Sequence, residues 1–227
     1  MKRVLVLFIA LVVSLVTISE TFALINLDDE SVKISIKYGL DNKYSTTKEL
    51  MGPNWIEGEN GVIITIYSPF IQLASKAKSQ NVPGSSDEDI LLVKRRLGRQ
   101  LNQIKTRMDI RFIVQLVGDD ETFAKEYDAR IEEVQDEEDT AEEQKKGKGF
   151  WIFKDKGPKK PKKVSPESIV KQNKAELDNW NPVHPYSATN SYNFDFERVN
   201  KFEKFYFILV GPDEKETRFL VDKNAIF

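Results

Sequence analysis

The residues best suited to chemistry in this sequence form a cationic cluster beyond its middle. Lys159, Lys160, Lys162 and Lys163 stand close together, and the aromatic residue Trp151 precedes them. Ammonium groups at this density attract phosphates and carboxylates, and a neighbouring aromatic ring can insert at a membrane interface or stack on a sugar ring. The pattern predicts a site for an anionic polymer or an anionic membrane surface. The alternative is that the aromatic residues form a core strand and the lysines only keep the segment soluble.

The lysine cluster belongs to two adjacent blocks of opposite charge. Residues 132–143 are dominated by Asp and Glu, and residues 145–163 are dominated by Lys. Charges at this density do not pack in a core, so residues 132–163 are expected to project from the domain as a charged insertion. If one block folds back on the other, the ion pairs formed are weak and salt-sensitive. An anion that binds the lysines then competes with the acidic block.

Motifs for catalysis and metal binding are missing from the sequence. It contains no phosphate-binding glycine loop, no nucleophile elbow and no His-Glu-x-x-His pattern. The chain lacks cysteine, which excludes thiol nucleophiles and Cys-type zinc sites. Its one histidine, His184, lies in a proline-rich turn and is expected at the surface, and the acidic residues 119–121 lack the alternating spacing of a calcium loop. We therefore predict no catalytic, cofactor-binding or metal-binding residue.

The composition leaves two classes of function open. A non-catalytic binding or structural domain of the cell envelope or exterior requires no nucleophile, base or metal, and the sequence favours this class. A carboxylate-based hydrolase acting on polysaccharide is the alternative, because acidic residues are abundant and only their separation in space decides whether two of them form a catalytic pair. Nucleic acid is not expected as a partner, since the net charge is −2 and the chain begins like an exported protein. The partners considered are an envelope protein, an anionic polymer and a membrane surface.

The N-terminal residues have the three parts of a secretory signal peptide. Two basic residues follow Met1, a predominantly apolar run spans residues 4–16, and residues 21–23 provide small side chains for cleavage. The apolar run is short for a membrane span, which takes about 20 residues. The sequence predicts a signal peptide over residues 1–23 and a single β-rich domain over residues 24–227, exported to the periplasm or the exterior. Retention as an uncleaved membrane anchor is the alternative.

The elements expected to position these residues are organised around a buried strand over residues 62–67. This strand is apolar on both faces, and Ser68 and Pro69, which are typical of a helix N-cap and a first helical position, follow it directly. Alternation or 3.6-residue periodicity predicts the remaining elements. Strands are expected over residues 32–38, 109–117, 150–153, 192–196, 205–210 and 217–221, and helices over residues 69–78 and 87–105 and from residues 121 and 165 onward.

About seven strands without a βαβ rhythm favour a mainly β fold, an antiparallel β-sandwich with a helical excursion after the central strand. The alternative is an α+β fold with one antiparallel sheet and helices on one side. The cations of the helix over residues 87–105, among them Arg95 and Arg99, are expected to form its solvated outer face. The general pattern is that of an exported bacterial β-sandwich, and no motif assigns a family.

Overall fold

The computed structural model of the protein describes residues 27–134, 161–177 and 183–226. The predictions for the signal peptide, for the strand over residues 150–153 and for most of the charged insertion lie outside these residues. In the described part of the chain there are six α-helices, namely α1 (Asp29–Asp41), α2 (Thr47–Met51), α3 (Pro69–Lys78), α4 (Asp87–Arg96), α5 (Gly98–Arg107) and α6 (Phe196–Val199).

The strands form two open antiparallel sheets. They are β1 (Trp55–Glu57), β2 (Ile63–Tyr67), β3 (Asp109–Gly118), β4 (Asp128–Glu133), β5 (Lys163–Val164), β6 (Ser168–Val170), β7 (Glu176–Leu177), β8 (Tyr186–Asp195), β9 (Lys204–Val210) and β10 (Glu216–Asp222). The first sheet has the order β1-β2-β3-β8-β6, with β7 also paired to β8, and the second has the order β10-β9-β4-β5. Strands β3 and β8 pair along their full length.

An aromatic core lies between the two sheets. Phe112 of β3 stacks on Phe207 of β9, with ring centroids 4.5 Å apart and ring planes 4° from parallel. Phe194 and Tyr192 of β8 meet the same Phe207 ring edge-on, at centroid distances of 6.3 and 6.2 Å. Each such aromatic pair contributes about 0.5–1.5 kcal/mol beyond the area that it buries. One hydrophobic cluster therefore includes residues from both sheets.

The helices build a second hydrophobic cluster that involves α1, α3, α4 and α5. Helices α3 to α5 lie between β2 and β3 in the chain, which is the helical excursion that the sequence predicts. Helix α1 packs closely against α3: Ser35 Oγ donates a hydrogen bond of 2.7 Å to the Phe70 carbonyl oxygen. At Gly39 a Cβ atom would lie 2.1 Å from the Ala74 carbonyl oxygen, so only glycine allows this approach. With six helices and two open sheets, the chain is mixed α+β, as in the alternative prediction but with two sheets.

The predicted strand over residues 32–38 is wrong, because these residues belong to α1. Asp28 caps this helix by accepting a hydrogen bond from the Ser31 amide at 2.7 Å. Val32 and Ile36 are fully buried one helical turn apart. The sequence predicts a strand because apolar residues occupy alternate positions. In the helix, small side chains complete the buried stripe.

The helix predicted from residue 121 onward is also wrong. After a short 3₁₀ turn at Phe123–Glu126, the chain forms β4, in which Ala129 and Ile131 point into the core. Each residue of β4 pairs with a residue of β9. This long-range pairing outweighs the helical spacing of the apolar residues.

The helix predicted from residue 165 is wrong, because this stretch forms β6 and β7. Strand β6 pairs with β8 and lies at an edge of the first sheet. The predicted helix would bury Ile169, Val170, Ala175 and Leu177, but of these four residues only Ala175 is buried. The Ser-Pro signal at Ser165 therefore marks a turn between two strands.

Several local predictions are confirmed. Strand β2 is followed at once by α3, and Ser68 Oγ accepts a hydrogen bond from the Ile71 amide at 3.3 Å, as expected of an N-cap. Strands β9 and β10 cover the predicted strands over residues 205–210 and 217–221, and they pair as an antiparallel hairpin. The helix over residues 87–105 is divided in two at Leu97, which ends α4 and caps α5.

Candidate functional site

The structure describes two of the four candidate lysines, while Lys159, Lys160 and Trp151 lie outside the described residues. Both described lysines face carboxylates of β4. Lys163 Nζ lies 3.6 Å from Glu132 Oε2, and Lys162 Nζ lies 3.3 Å from Glu133 Oε2. Strand β5 pairs with β4 at this point, so the described ends of the two charge blocks contact each other.

Two carboxylates on the second sheet share one guanidinium group. Arg130 Nη2 lies 2.6 Å from Glu216 Oε1, and Arg130 Nε lies 3.7 Å from Glu132 Oε2. The hydrogen bond from Arg130 lowers the pKa of Glu216 below its usual value. A general acid of a glycoside hydrolase needs a raised pKa, so this arrangement suits ion pairing better than proton donation.

His184 joins two loops at one end of the first sheet. Its Nδ1 atom lies 2.8 Å from Asp119 Oδ1, and both side chains are accessible to solvent. Next to it, Asp120 accepts a hydrogen bond from the Thr122 amide at 2.7 Å, and this bond lowers the pKa of the Asp120 carboxyl. These contacts shape a turn at the end of β3, where the sequence predicts the start of a helix.

Neither metal ligation nor membrane crossing is indicated by the described residues. Across residues 27–134, 161–177 and 183–226, no three acidic, histidine or cysteine side chains gather as a possible metal site. In the same part of the chain, no helix combines the length and the apolar character needed to cross a bilayer.

Among the described residues, α4 and α5 carry a dense group of cationic side chains. Residues 94–107 contain six cationic side chains and no acidic one. We name their outward side the cationic helix surface. Its charged members are Lys94, Arg95, Arg96, Arg99, Lys105 and Arg107.

The cations of this surface differ in their partners. Asp29 Oδ1, at the start of α1, lies 3.2 Å from Lys94 Nζ and 3.7 Å from Lys105 Nζ. Arg96 donates a hydrogen bond of 3.2 Å to a backbone carbonyl oxygen. The other three arginines, which are Arg95, Arg99 and Arg107, make no ion pair or hydrogen bond with any described residue.

Arg95, Arg99 and Arg107 lie on one side of the protein, although the helix is divided into α4 and α5. Ile90, Val93, Leu97, Leu101 and Ile104 continue as one buried stripe through both helices into the same cluster. The Leu97 amide donates to the Val93 carbonyl at 2.9 Å, and the Leu101 amide donates to the Leu97 carbonyl at 2.7 Å. Because the buried stripe is continuous, the exposed stripes of α4 and α5 face the same side.

The α5 part of this surface is concave. An open depression of about 590 Å³ is lined by Arg99, Asn102, Gln103, Thr106 and Arg107. Two guanidinium groups with amide and hydroxyl groups between them can donate several hydrogen bonds to phosphate, sulfate or carboxylate oxygens. The sequence shows the charge density, but its pattern predicts only a solvated face, because the partners of each cation come from distant residues such as Asp29.

Comparison with known proteins adds no functional assignment to this geometry. No protein-family model, no curated protein and no solved structure matches this chain.

Proposed function

We propose that this protein is an exported, non-catalytic binding domain of the cell envelope or exterior that holds an anionic partner on its cationic helix surface. The observation that carries this proposal is the set Arg95, Arg99 and Arg107, three exposed arginines without a counter-ion among the described residues. Arginine is weakly hydrated for a cation and presents a planar fork of donors that matches carboxylate, sulfate and phosphate groups. A surface that keeps three such groups uncompensated favours binding of an anion.

The proposed scaffold is a β-sandwich of the two sheets with the helical cluster attached. The stack of Phe112 on Phe207 supports this part of the proposal, because it brings the inner faces of the sheets into direct contact. A rigid core fixes the positions of the helices relative to each other. The distances between the arginines are then also fixed, which suits one extended ligand. Preorganised charges lose less entropy on binding than flexible ones.

Export is the part of the proposal that rests on sequence alone. The basic start, the apolar run and the small residues before position 24 favour cleavage and release to the periplasm or the exterior. A chain without cysteine folds independently of the redox state of that compartment.

The lysines of the charged insertion are a second candidate contact for the same partner. Lys162 and Lys163 already face Glu133 and Glu132, so an incoming anion must displace a carboxylate from each. No carboxylate of the described residues pairs with Arg95, Arg99 or Arg107 in this way. We therefore place the primary contact on α4 and α5 and keep Lys159, Lys160 and Trp151 as auxiliary candidates.

Dextran sulfate is a suitable probe for this proposal, because its sulfates stay ionised and it carries no lipid. The chain without residues 1–23 is compared with the variant Arg95→Gln/Arg99→Gln/Arg107→Gln at low salt. We expect the affinity to fall about tenfold or more, since each basic group near an anionic surface contributes about 1 kcal/mol.

The matched control removes the same charge from paired lysines. In Lys37→Gln/Lys48→Gln/Lys174→Gln each substituted lysine faces a carboxylate, that of Asp41, Glu57 or Glu121. We expect this control to bind within about threefold of the parent. Equal losses in both variants, or no binding by the parent, would overturn the proposed function.

A further inference from the structure

We propose that the anionic partner is a lipid surface and that Leu91 and Leu92 of α4 enter it; this inference rests on the proposed function. Both leucines are exposed, with 49% and 40% of their surface accessible. The neighbouring residues Ile90 and Val93 are buried in the helical cluster. The two leucines therefore belong to the outward face of α4 and not to its packed face.

Each leucine is followed one helical turn later by an arginine. Residues four positions apart are neighbours on a helix, so Leu91 lies beside Arg95 and Leu92 lies beside Arg96. Arg99 continues the same outward face at the start of α5. An apolar side chain flanked by guanidinium groups suits the boundary between lipid headgroups and acyl chains, where the leucine meets hydrocarbon and the arginine meets phosphate.

The leucines favour a lipid surface over a soluble polyanion. A dissolved anionic polymer interacts with the arginines and leaves two adjacent apolar side chains in water. A bilayer interface takes up both groups, so the apolar contact adds to the electrostatic attraction.

Acidic residues at the start of α4 do not cancel this attraction. Asp87 Oδ1 lies 2.7 Å from Lys33 Nζ, and Asp89 is held in the capping box with Ser86. Glu88 is the remaining carboxylate of that turn, against three arginines for which the described part of the chain provides no counter-ion. Counting the described residues, the face that includes the leucines therefore keeps a net positive charge.

The first test measures partition onto vesicles. The chain without residues 1–23 is mixed with vesicles of phosphatidylcholine containing phosphatidylglycerol, and with vesicles of phosphatidylcholine alone. We expect binding to the anionic vesicles, and a loss of about tenfold in Leu91→Gln/Leu92→Gln, since burial of a leucine side chain contributes a few-fold to tenfold in the binding constant. Affinity of this variant for dextran sulfate is expected to stay within about twofold of the parent, because both probes share the arginines.

The control substitutes exposed leucines elsewhere. Leu177→Gln/Leu220→Gln changes side chains that are 60% and 56% exposed and lie on β7 and β10. We expect its partition to match that of the parent. Circular dichroism of all variants establishes that they are folded before binding is compared.

The second test measures depth, and the absence of cysteine makes it specific. A nitroxide attached to the Leu91→Cys variant is expected to lose contact with a water-soluble relaxation agent when anionic vesicles are added. A nitroxide attached to the Tyr44→Cys variant, at a side chain that is 92% exposed, is expected to stay accessible.

The outcomes separate this inference from the proposed function. Binding to dextran sulfate but not to anionic vesicles overturns the lipid inference and leaves the proposed function standing. The same conclusion follows if Leu91→Gln/Leu92→Gln partitions like the parent or if both nitroxides stay accessible. A parent chain that binds neither probe overturns both.

Discussion

The Asp29 carboxylate, at the start of α1, lies 3.2 Å from the Lys94 ammonium group of α4. The same carboxylate oxygen lies 3.7 Å from the Lys105 ammonium group of α5. One acid thus compensates two cations at one side of the cationic helix surface, while Arg95, Arg99 and Arg107 form no ion pair with the described residues.

Removal of this carboxylate is expected to strengthen anion binding. In Asp29→Asn, Lys94 and Lys105 lose their counter-ion, so affinity for dextran sulfate should rise about threefold to fivefold at low salt. The hydrogen bond and charge of Lys94 lower the pKa of Asp29 below 3.8, so the carboxylate is ionised at neutral pH and the effect should be constant from about pH 5 to pH 7.5. Glu57→Gln is the control, because Glu57 pairs with Lys48 on β1. Unchanged or weaker binding by Asp29→Asn would contradict the placement of the anion near this carboxylate.

The close approach of α1 and α3 at Gly39 predicts a steep loss of stability. In Gly39→Ala the new Cβ atom would meet the Ala74 carbonyl oxygen at 2.1 Å, so the helices must separate. We expect a loss of about 2 kcal/mol or more in the free energy of unfolding, measured with urea. Gly98→Ala is the matched control, because its Cβ atom meets no atom within 4 Å. Alanine is the better helix former, so this variant should be neutral or more stable by up to about 1 kcal/mol. Equal stabilities of the two variants would be incompatible with the packing described.

Tyr192 is expected to limit stability at alkaline pH. Its hydroxyl donates a hydrogen bond of 2.9 Å to the Tyr127 carbonyl oxygen, and burial raises the pKa of the phenol to about 12. A folded-state pKa above the unfolded value of 10.0 contributes stability that is complete below pH 10 and is lost as the pH rises toward 12.

The variant Tyr192→Phe tests this contribution. It loses the hydrogen bond that Tyr192 donates to Tyr127 and the one of 3.2 Å that it accepts from Asn190 Nδ2, which together should cost about 1–3 kcal/mol at pH 7. Its stability should nevertheless fall less than that of the parent between pH 10 and pH 12. If the stability of parent and variant falls in parallel over this pH range, Tyr192 is not the cause of the alkaline loss of stability.

Local signals made part of the fold predictable. Ser68 and Pro69 mark the start of α3 because an N-cap acts through neighbouring atoms and needs no tertiary contact. The strand over residues 109–117 was predictable because its alternate apolar residues are buried as the pattern indicates. Both predictions depend on residues adjacent in the chain.

Other elements depend on contacts that the sequence does not show. Residues 32–38 alternate as a strand does, and the docking of α1 on α3 nevertheless makes them a helix. Strand β4 exists because β9 pairs with it from more than 70 residues away. The sequence shows the cationic residues of the helix surface. The ion pair of Lys94 with Asp29 is a tertiary contact, and only the structure shows it.

The measurement that tests the central claim most directly is a nuclear magnetic resonance titration. The ¹⁵N-labelled chain without residues 1–23 is titrated with dextran sulfate at low salt. The proposed surface predicts that the largest shifts fall on backbone amides of residues 94–107 and on the side-chain Nε–H signals of Arg95, Arg99 and Arg107. Shifts confined to residues 159–163, or to the sheets, would contradict the assignment of the anionic partner to α4 and α5.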